Sequence, residues 1–451
     1  LTKPSQNLLD RFLFRDKGIV PSKKLVIFLS VTAGIFLIGS FFGLSFVFIL
    51  LLFIIVLLAS LSDLLFSAKK GQLTFTRTIE EKIERGLSYR VSITIETMSS
   101  HWIKIELIDG LPQSFVRSFP IHGVLSSERT TVIYETIAPI RGDYTISYLF
   151  VRYESKLGLW KKQIKVPLED KVKVIPDMTE TKQYLESAQR YLLYEGSMKR
   201  KHRSGAGEFS KIRNYVVGDD PRLINWRQTA KLQEVMSNEY EPEHGKYITI
   251  LVDCGRMMGS ELKKGNRLEK ALEAALTVTA AALNKGDYVA VIAFSKDVKV
   301  FVPPGKGMAH FQTILHAIYD VQVDAAESNY GEILRYLELV QKKRSFLLLF
   351  SDVSTFLHEE SALHYLIRLR KRHLFLMIGV EDETLLERVA DYPTTVQNAM
   401  VKTIAQQQWV VKKRGKAKWE KQGLHLVEAK EERLATVAVS SYINIINRGL
   451  L

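Results

Sequence analysis

The chain has 451 residues, room for two or three domains, and its 63 lysines and arginines against 49 aspartates and glutamates leave a formal net charge of +14. At 46% hydrophobic and 25% charged residues it has an ordinary globular composition, and its single cysteine, Cys254, excludes an internal disulfide and a cysteine-cluster zinc site, in keeping with a reducing compartment. The basic excess suits nucleic acid, anionic lipid or an acidic partner.

Residues 1–22 read as a short basic tail. Residues 25–61, LVIFLSVTAGIFLIGSFFGLSFVFILLLFIIVLLASL, hold no charge. As one helix they would rise about 55 Å, against a hydrocarbon core of about 30 Å. Splitting them at Gly39-Ser40 to Gly43 predicts a two-helix transmembrane hairpin over 23–66, with Asp63 at its exit. Lys23 and Lys24 before it and Lys69 and Lys70 after it place both termini in the cytoplasm of a two-span cell-membrane protein. The apolar run is too long for a signal peptide and lacks a small-residue cleavage site. The competing readings are a buried core helix pair and a single tilted span, and the lysine balance opposes the latter.

From about residue 70 to 176 the period changes to two. Arg90-Val91-Ser92-Ile93-Thr94-Ile95-Glu96, Ile103-Lys104-Ile105-Glu106-Leu107, Thr131-Val132-Ile133-Tyr134-Glu135 and Tyr144-Thr145-Ile146-Ser147-Tyr148 alternate. The turn signals Asp109-Gly110 and Arg141-Gly142-Asp143 lie between them, which predicts an Ig-like antiparallel β-sandwich serving as a spacer or interaction module. An amphipathic helix follows at 179–194. The basic run 199–203 and Ser204-Gly205-Ala206-Gly207 then read as a solvated loop.

After Tyr247, apolar runs at 247–252, 288–294, 345–350 and 374–380 alternate with helical stretches near 268–285, 310–319, 361–370 and 383–390. Such runs predict a mainly parallel sheet covered on both faces over 246–395, with ligands outside the carboxyl ends of its strands. Residues 396–451 read as a tail, helical near 431–446.

Two of those strand ends carry an aspartate, Asp253 in LVDCGRMMG and Asp352 in LFSDVS. This layout resembles the von Willebrand factor A fold. The resemblance implies a metal site made from an Asp-x-Ser-x-Ser loop, a threonine from a middle loop and an aspartate after a later strand, a set suited to Mg²⁺. Here Gly255 and Met257 stand at the two serine positions and Ser328 where the threonine would be. The expected site is therefore degenerate, with Asp253, Asp352 and Ser328 left to hold a weak Mg²⁺ or no cofactor. The alternative for both aspartates is capping of loop N–H groups.

The most specific stretch is 207–231, GEFSKIRNYVVGDDPRLINWRQTAK. Gly218-Asp219 predicts a turn. Asp220 predicts an N-cap with Pro221 in the first turn of a helix running to about residue 232, anchored by Ile224 and Trp226. Glu208, Arg213, Asp219, Asp220 and Arg222 put both signs of charge into a short span, as an internal lock or as a recognition surface, and Tyr215 belongs to the same pattern.

The pattern G-x-G-E-F-x-x-x-R-x-Y-x-x-G-D-D-x-R-x-I-x-W, followed by D-x-G-R-x-M at Asp253, resembles the bacterial family called domain of unknown function 58. Leu157-Gly158-Leu159-Trp160 and Arg141-Gly142-Asp143-Tyr144 resemble its β-module. The resemblance runs from the apolar hairpin to about residue 390. It implies a membrane-anchored, non-catalytic A-like adaptor partnering a MoxR-type AAA+ ATPase or its client, beside a transglutaminase-like membrane protein. It also implies a multidomain fold: transmembrane α-hairpin, all-β sandwich, a helix and motif segment at 177–245, and an α/β Rossmann-type domain.

No GxSxG elbow, HExxH or P-loop is present, so an enzyme is not expected. The basic runs 199–203, 368–372 and 412–418 lack interleaved aromatics, which speaks against nucleic acid and leaves membrane lipid as their target. The alternative function is a divalent-metal-dependent binding protein, or an anionic-lipid-associated scaffold with a residual metal site.

Overall fold

The computed structural model describes residues 18–42, 45–65, 70–97, 102–117, 119–125, 127–195, 208–241 and 245–448. The chain divides into two compact units, Leu1–Ile175 and Pro176–Leu451. The expected basic run 199–203 and glycine loop 204–207 lie outside the described residues.

The first unit begins with β1 (Gly18–Pro21), α1 (Lys23–Phe41) and α2 (Phe46–Leu65). The strands β2 (Leu73–Thr78), β3 (Lys82–Glu84), β4 (Ser88–Thr97), β5 (Ile103–Asp109), β6 (Ile121–Leu125), β7 (Arg129–Ile137), β8 (Gly142–Glu154) and β9 (Trp160–Ile175) follow. They build a three-stranded sheet, β2-β4-β7, and a six-stranded sheet, β1-β9-β8-β5-β6 with β3 beside β9. Alternation makes the core. Val91, Ile93 and Ile95 of one sheet and Ile105, Leu107, Leu149 and Val151 of the other are buried in a single cluster, while Ser92 and Thr94 point away.

The transmembrane hairpin, and with it the two-span cell-membrane localisation, is corrected here. Among the described residues no helix is long and apolar enough to cross a membrane. Lys23 and Lys24 open α1, and Asp63 lies near the end of α2. The uncharged parts, 25–41 and 46–62, rise roughly 25 Å each, against about 30 Å of hydrocarbon. Nor is Asp63 at a solvated exit. It is buried, and its carboxylate accepts hydrogen bonds from Ser155 Oγ (2.5 Å) and the N–H groups of Leu157 (2.8 Å) and Leu159 (3.2 Å). The Trp160 indole N–H donates to the Ser60 carbonyl at 2.9 Å. The end of α2 is thus docked on the β8–β9 turn.

The last residues of the tail expected over 1–22 form a strand, and residues 1–17 lie outside the described residues. Gly18–Pro21 pairs antiparallel with β9, because the free edge of β9 offers N–H and C=O groups that an extended segment can satisfy.

The second unit opens with α3 (Thr179–Glu195), the strands β10 (Glu208–Asn214) and β11 (Met236–Glu241), and between them the short helix α4 (Trp226–Leu232). Then come β12 (Tyr247–Asp253), the two-residue strands β13 (Glu261–Leu262) and β14 (Gly265–Asn266), α5 (Arg267–Lys285), β15 (Tyr288–Phe294), β16 (Val298–Gly305), α6 (Gly307–Ile318) and α7 (Tyr330–Val340). The remaining elements are β17 (Ser345–Phe350), α8 (Val353–Leu357), α9 (Glu360–Leu369), β18 (Leu374–Val380), α10 (Glu383–Ala390), α11 (Val396–Lys421), β19 (His425–Ala429) and α12 (Leu434–Asn447). The main sheet has the order β16-β15-β12-β17-β18-β19. Helix α5 starts on the Asn266 cap, which accepts from Glu269 N at 2.9 Å, and ends at Gly286 with φ +89°.

The chain-wide fold class needs a second correction. Among the described residues parallel pairing is confined to β12–β15, β12–β17, β17–β18, β18–β19 and the short β3–β9 contact. The other ladders, including β15–β16, are antiparallel. Parallel neighbours need a crossover of a dozen or more residues, usually a helix, and only the segment after Tyr247 supplies a series of them.

The α/β body also continues past residue 395. Strand β19 adds a parallel edge to β18. Tyr442 of α12 donates to Asp287 Oδ2 at 2.7 Å, while Asp287 Oδ1 accepts from Lys246 N at 2.8 Å.

His373, before β18, yields a pH prediction. Its Nδ1 accepts from Ser345 N (3.2 Å), and lies 2.9 Å from Ser345 Oγ. Burial first, then Arg372 and Arg344, push its pKa below 6.5. The unfolded chain therefore binds this proton at a pH where the folded chain does not, so stability rises with pH through this window and is lost as pH falls below about 6.5. His373→Gln is expected to flatten that slope in unfolding midpoints measured from pH 5 to 8.

Candidate functional site

In chain order the main sheet runs 3-2-1-4-5-6, the doubly wound arrangement. Its topological switch point lies between β12 and β17, whose carboxyl ends carry Asp253 and Ser351-Asp352.

Asp253 is 1% exposed. Its Oδ1 accepts from Ser328 Oγ and from Gly255 N (2.8 Å). Its Oδ2 accepts from Ser351 Oγ (2.5 Å) and Tyr330 OH (2.9 Å), and the two hydroxyls lie 2.8 Å apart. Burial pushes the Asp253 carboxyl up, opposed by these donors. Burial and the Asp253 charge push the Tyr330 phenol well above its ordinary value, so it remains a donor. Cys254 is buried beside them.

Asp352 caps α8, accepting from Thr355 N and Thr355 Oγ1, both at 2.8 Å, and pairs with the Arg267 guanidinium. The loop carrying Ser328 is tied to the Asp253 loop by Asp324 N–H to Cys254 O (2.7 Å) and Arg256 N–H to Ala326 O (3.0 Å). Asp324 accepts from Ser295 Oγ (2.8 Å) and from Lys299 (2.7 Å), which holds its carboxyl well below the usual range.

The fold thus brings Asp253, Ser328 and the Ser351-Asp352 turn together at the carboxyl ends of the two central strands, but not as a cation's ligands. Both Asp253 oxygens face O–H and N–H donors, and Asp352 already carries a cationic partner. A Cβ on Gly255 would lie 2.0 Å from Ser328 Oγ, so a serine at 255 and Ser328 in its present position exclude each other. Among the described residues no group of three or more His, Cys, Asp or Glu is placed to hold a metal. This donor set does not fit Mg²⁺, which needs near-octahedral oxygen ligands. Tyr330, Ser351 and Arg267 had no local sequence signal, because their roles arise only where separate strand ends meet.

The family-motif segment forms a hairpin. Strands β10 and β11 pair from Glu208↔Glu241 to Asn214↔Met236, with a bulge between Phe209 and Lys211. Gly218, at φ +110°, makes the turn. Asp219 accepts from Arg213 Nη2 (2.8 Å) and Val216 N (3.0 Å), and Tyr215 OH donates to the Asp219 carbonyl (3.1 Å). The side chains of Arg213, Tyr215 and Asp219 brace the turn. The Glu208 side chain lies outside the described residues.

The helix expected from Pro221 to about residue 232 is corrected. Asp220 accepts from Arg222 N at 3.0 Å, but caps only a 3₁₀ turn, Pro221–Leu223. Ile224 is extended and bridges to Ser237, and Asn225 caps α4 anew by accepting from Gln228 N at 3.1 Å. Trp226 is not a core anchor: it is 69% exposed, and Val217 is 97% exposed. Phe209 and Val216 are exposed on the same hairpin.

The second unit thus combines a doubly wound α/β sheet, with a sealed carboxylate–hydroxyl cluster at its switch point, and a charged hairpin that exposes Phe209, Val216, Val217 and Trp226. Residues 211–407 match the model of the family "Protein of unknown function DUF58". It is 24% identical over 198 residues to the uncharacterized protein YeaD of Bacillus subtilis (strain 168), covering 44% of this chain and 47% of that one. The chain therefore matches about half the length of this curated relative. Among solved structures it is similar to the conserved hypothetical protein BatB from Bacteroides thetaiotaomicron, at 17% identity and a TM-score of 0.32, over 45% of this chain and 100% of that one. A PapD-like domain of human CEP192 is similar at 17% identity and a TM-score of 0.17, over 22% of this chain and 84% of that one.

Proposed function

We propose that this chain is a non-catalytic protein-binding module whose hairpin, residues 208–241, docks a MoxR-type AAA+ ATPase or that ATPase's client. One observation carries the reading: the hairpin turns Val217 (97% exposed) and Trp226 (69%) outward although its own turn is braced by Arg213 and Asp219. Large apolar side chains exposed together on one element mark interaction sites, and tryptophan is among the side chains most often dominant in them. The sealed state of Asp253 supports a binding role over a metal-dependent one. The partner class comes from the family resemblance of the motif.

The test is isothermal titration of a purified MoxR-type ATPase into the full chain. Trp226→Ala removes an exposed side chain, so its unfolding midpoint should match the parent, while affinity should fall about 30-fold, the equivalent of roughly 2 kcal/mol. Equal affinity of parent and variant would remove the hairpin from the interface. No binding by the parent would remove the ATPase.

A further inference from the structure

We propose that Arg267 stands in for a divalent cation at the switch point, so that this edge of the domain is closed by the chain itself and is independent of metal. The inference does not depend on the identity of any partner.

Asp253 ends β12, Asp352 follows the neighbouring strand β17, and Asp324 sits on the loop that carries Ser328, its own N–H donating to the Cys254 carbonyl at 2.7 Å. Where acids gather at strand ends, a bound cation is the usual compensating charge. Here each acid is compensated from within the chain. Asp253 is ringed by three hydroxyls and one N–H. Asp324 is held by Lys299. Asp352, whose side chain is 5% exposed, has the Arg267 guanidinium against one oxygen and Thr355 on the other.

Arg267 is built for a fixed position. It is the first residue of α5, next to the Asn266 cap, and its own N–H donates to the Ser260 carbonyl at 3.1 Å. Its side chain is 12% exposed, and a second nitrogen lies 3.8 Å from Asp382 Oδ2. A charge held at a helix start is placed in advance, as a coordinated ion would be, but cannot dissociate or be chelated. Ser328 Oγ lies where a side chain at position 255 would sit and donates to Asp253 Oδ1. A partner's acidic group therefore finds no open coordination position here.

The test uses the full chain and its variants. Thermal unfolding by circular dichroism is followed in EDTA, in MgCl₂ and in MnCl₂, and Mn²⁺ binding is titrated by electron paramagnetic resonance. The parent should melt at one temperature in all three and leave millimolar Mn²⁺ free. A site saturated about a hundred-fold over its Kd would instead raise the midpoint by several degrees. Arg267→Ala should melt lower and be restored toward the parent by Mn²⁺, because the vacated charge position then accepts a cation. Arg267→Lys should melt near the parent and ignore Mn²⁺. A saturable rise of the parent's midpoint with Mg²⁺ or Mn²⁺ overturns the proposal. So does a loss of stability in Arg267→Ala that Mn²⁺ does not repair, which would make Arg267 an ordinary ion pair. If Arg267→Ala does not fold, the parent's Mn²⁺ titration and the lysine variant decide.

Discussion

Asp253→Ala is expected to destabilise the α/β unit by about 3–5 kcal/mol, the range for a buried network that loses its charged member. The carboxylate is the common acceptor of Ser328, Ser351, Tyr330 and the Gly255 N–H. Alanine leaves four donors facing a void, and each buried donor without a partner costs about 1–3 kcal/mol unless water enters or the hydroxyls turn to one another. Ser351 and Tyr330, 2.8 Å apart, can partly do so, which keeps the sum below four separate losses. Asp253→Asn should fall in between, since the amide keeps one acceptor oxygen but turns an NH₂ group toward donors. Urea unfolding checks both: the midpoint should drop with the slope unchanged. A midpoint within error of the parent for Asp253→Ala would mean that the cluster is not closed as described.

The other large effect is expected in the β-sandwich. Arg77 is a fully buried arginine on β2 that reaches across to the opposite sheet. Its Nε and Nη2 donate to Asp109 at 2.9 and 2.5 Å, and its Nη1 donates to Asp170 at 2.7 Å. The carbonyls of Ile146, Leu168 and Tyr148 accept from it at 3.2 Å each. Tyr134 OH adds a further donor to Asp109 at 2.5 Å, and burial with the Asp109 charge pushes that phenol far up. Arg77→Met should cost about 3–5 kcal/mol, because Asp109 is left buried without its counter-charge. Arg77→Met combined with Asp109→Leu should recover much of that loss, since apolar replacement of both members of a buried pair is often close to neutral. A double-mutant cycle in urea reads the difference as a coupling energy. A coupling near zero would show that the pair does not join the two sheets energetically.

These two clusters mark the boundary of what the chain's letters disclose. Period-two alternation located the strands around Val91–Ile95 and Ile103–Leu107, because one buried face forces it. Apolar runs located the parallel strands, because a strand covered on both faces has no polar side to show. The membrane hairpin went wrong on the same apolar signal. Composition registers that 25–61 is uncharged, but not that the helices begin at Lys23-Lys24 and end with Asp63 docked on the β8–β9 turn. The edge strand β19 carries little periodic signal, because its five residues, HLVEA, do not alternate regularly between apolar and polar.

The candidate site was legible in part. Asp253 and Asp352 stand at strand ends in the sequence itself. That Ser328 reaches Asp253, that Arg267 occupies Asp352, and that Trp226 faces solvent were decided only by the tertiary structure. Local residue order sets caps, turns and faces, since those interactions span a few positions. The partner of a buried charge comes from up to a hundred residues away, here from 328, 330 and 351 to 253 and from 267 to 352, and is settled only when separate strands and helices pack against one another.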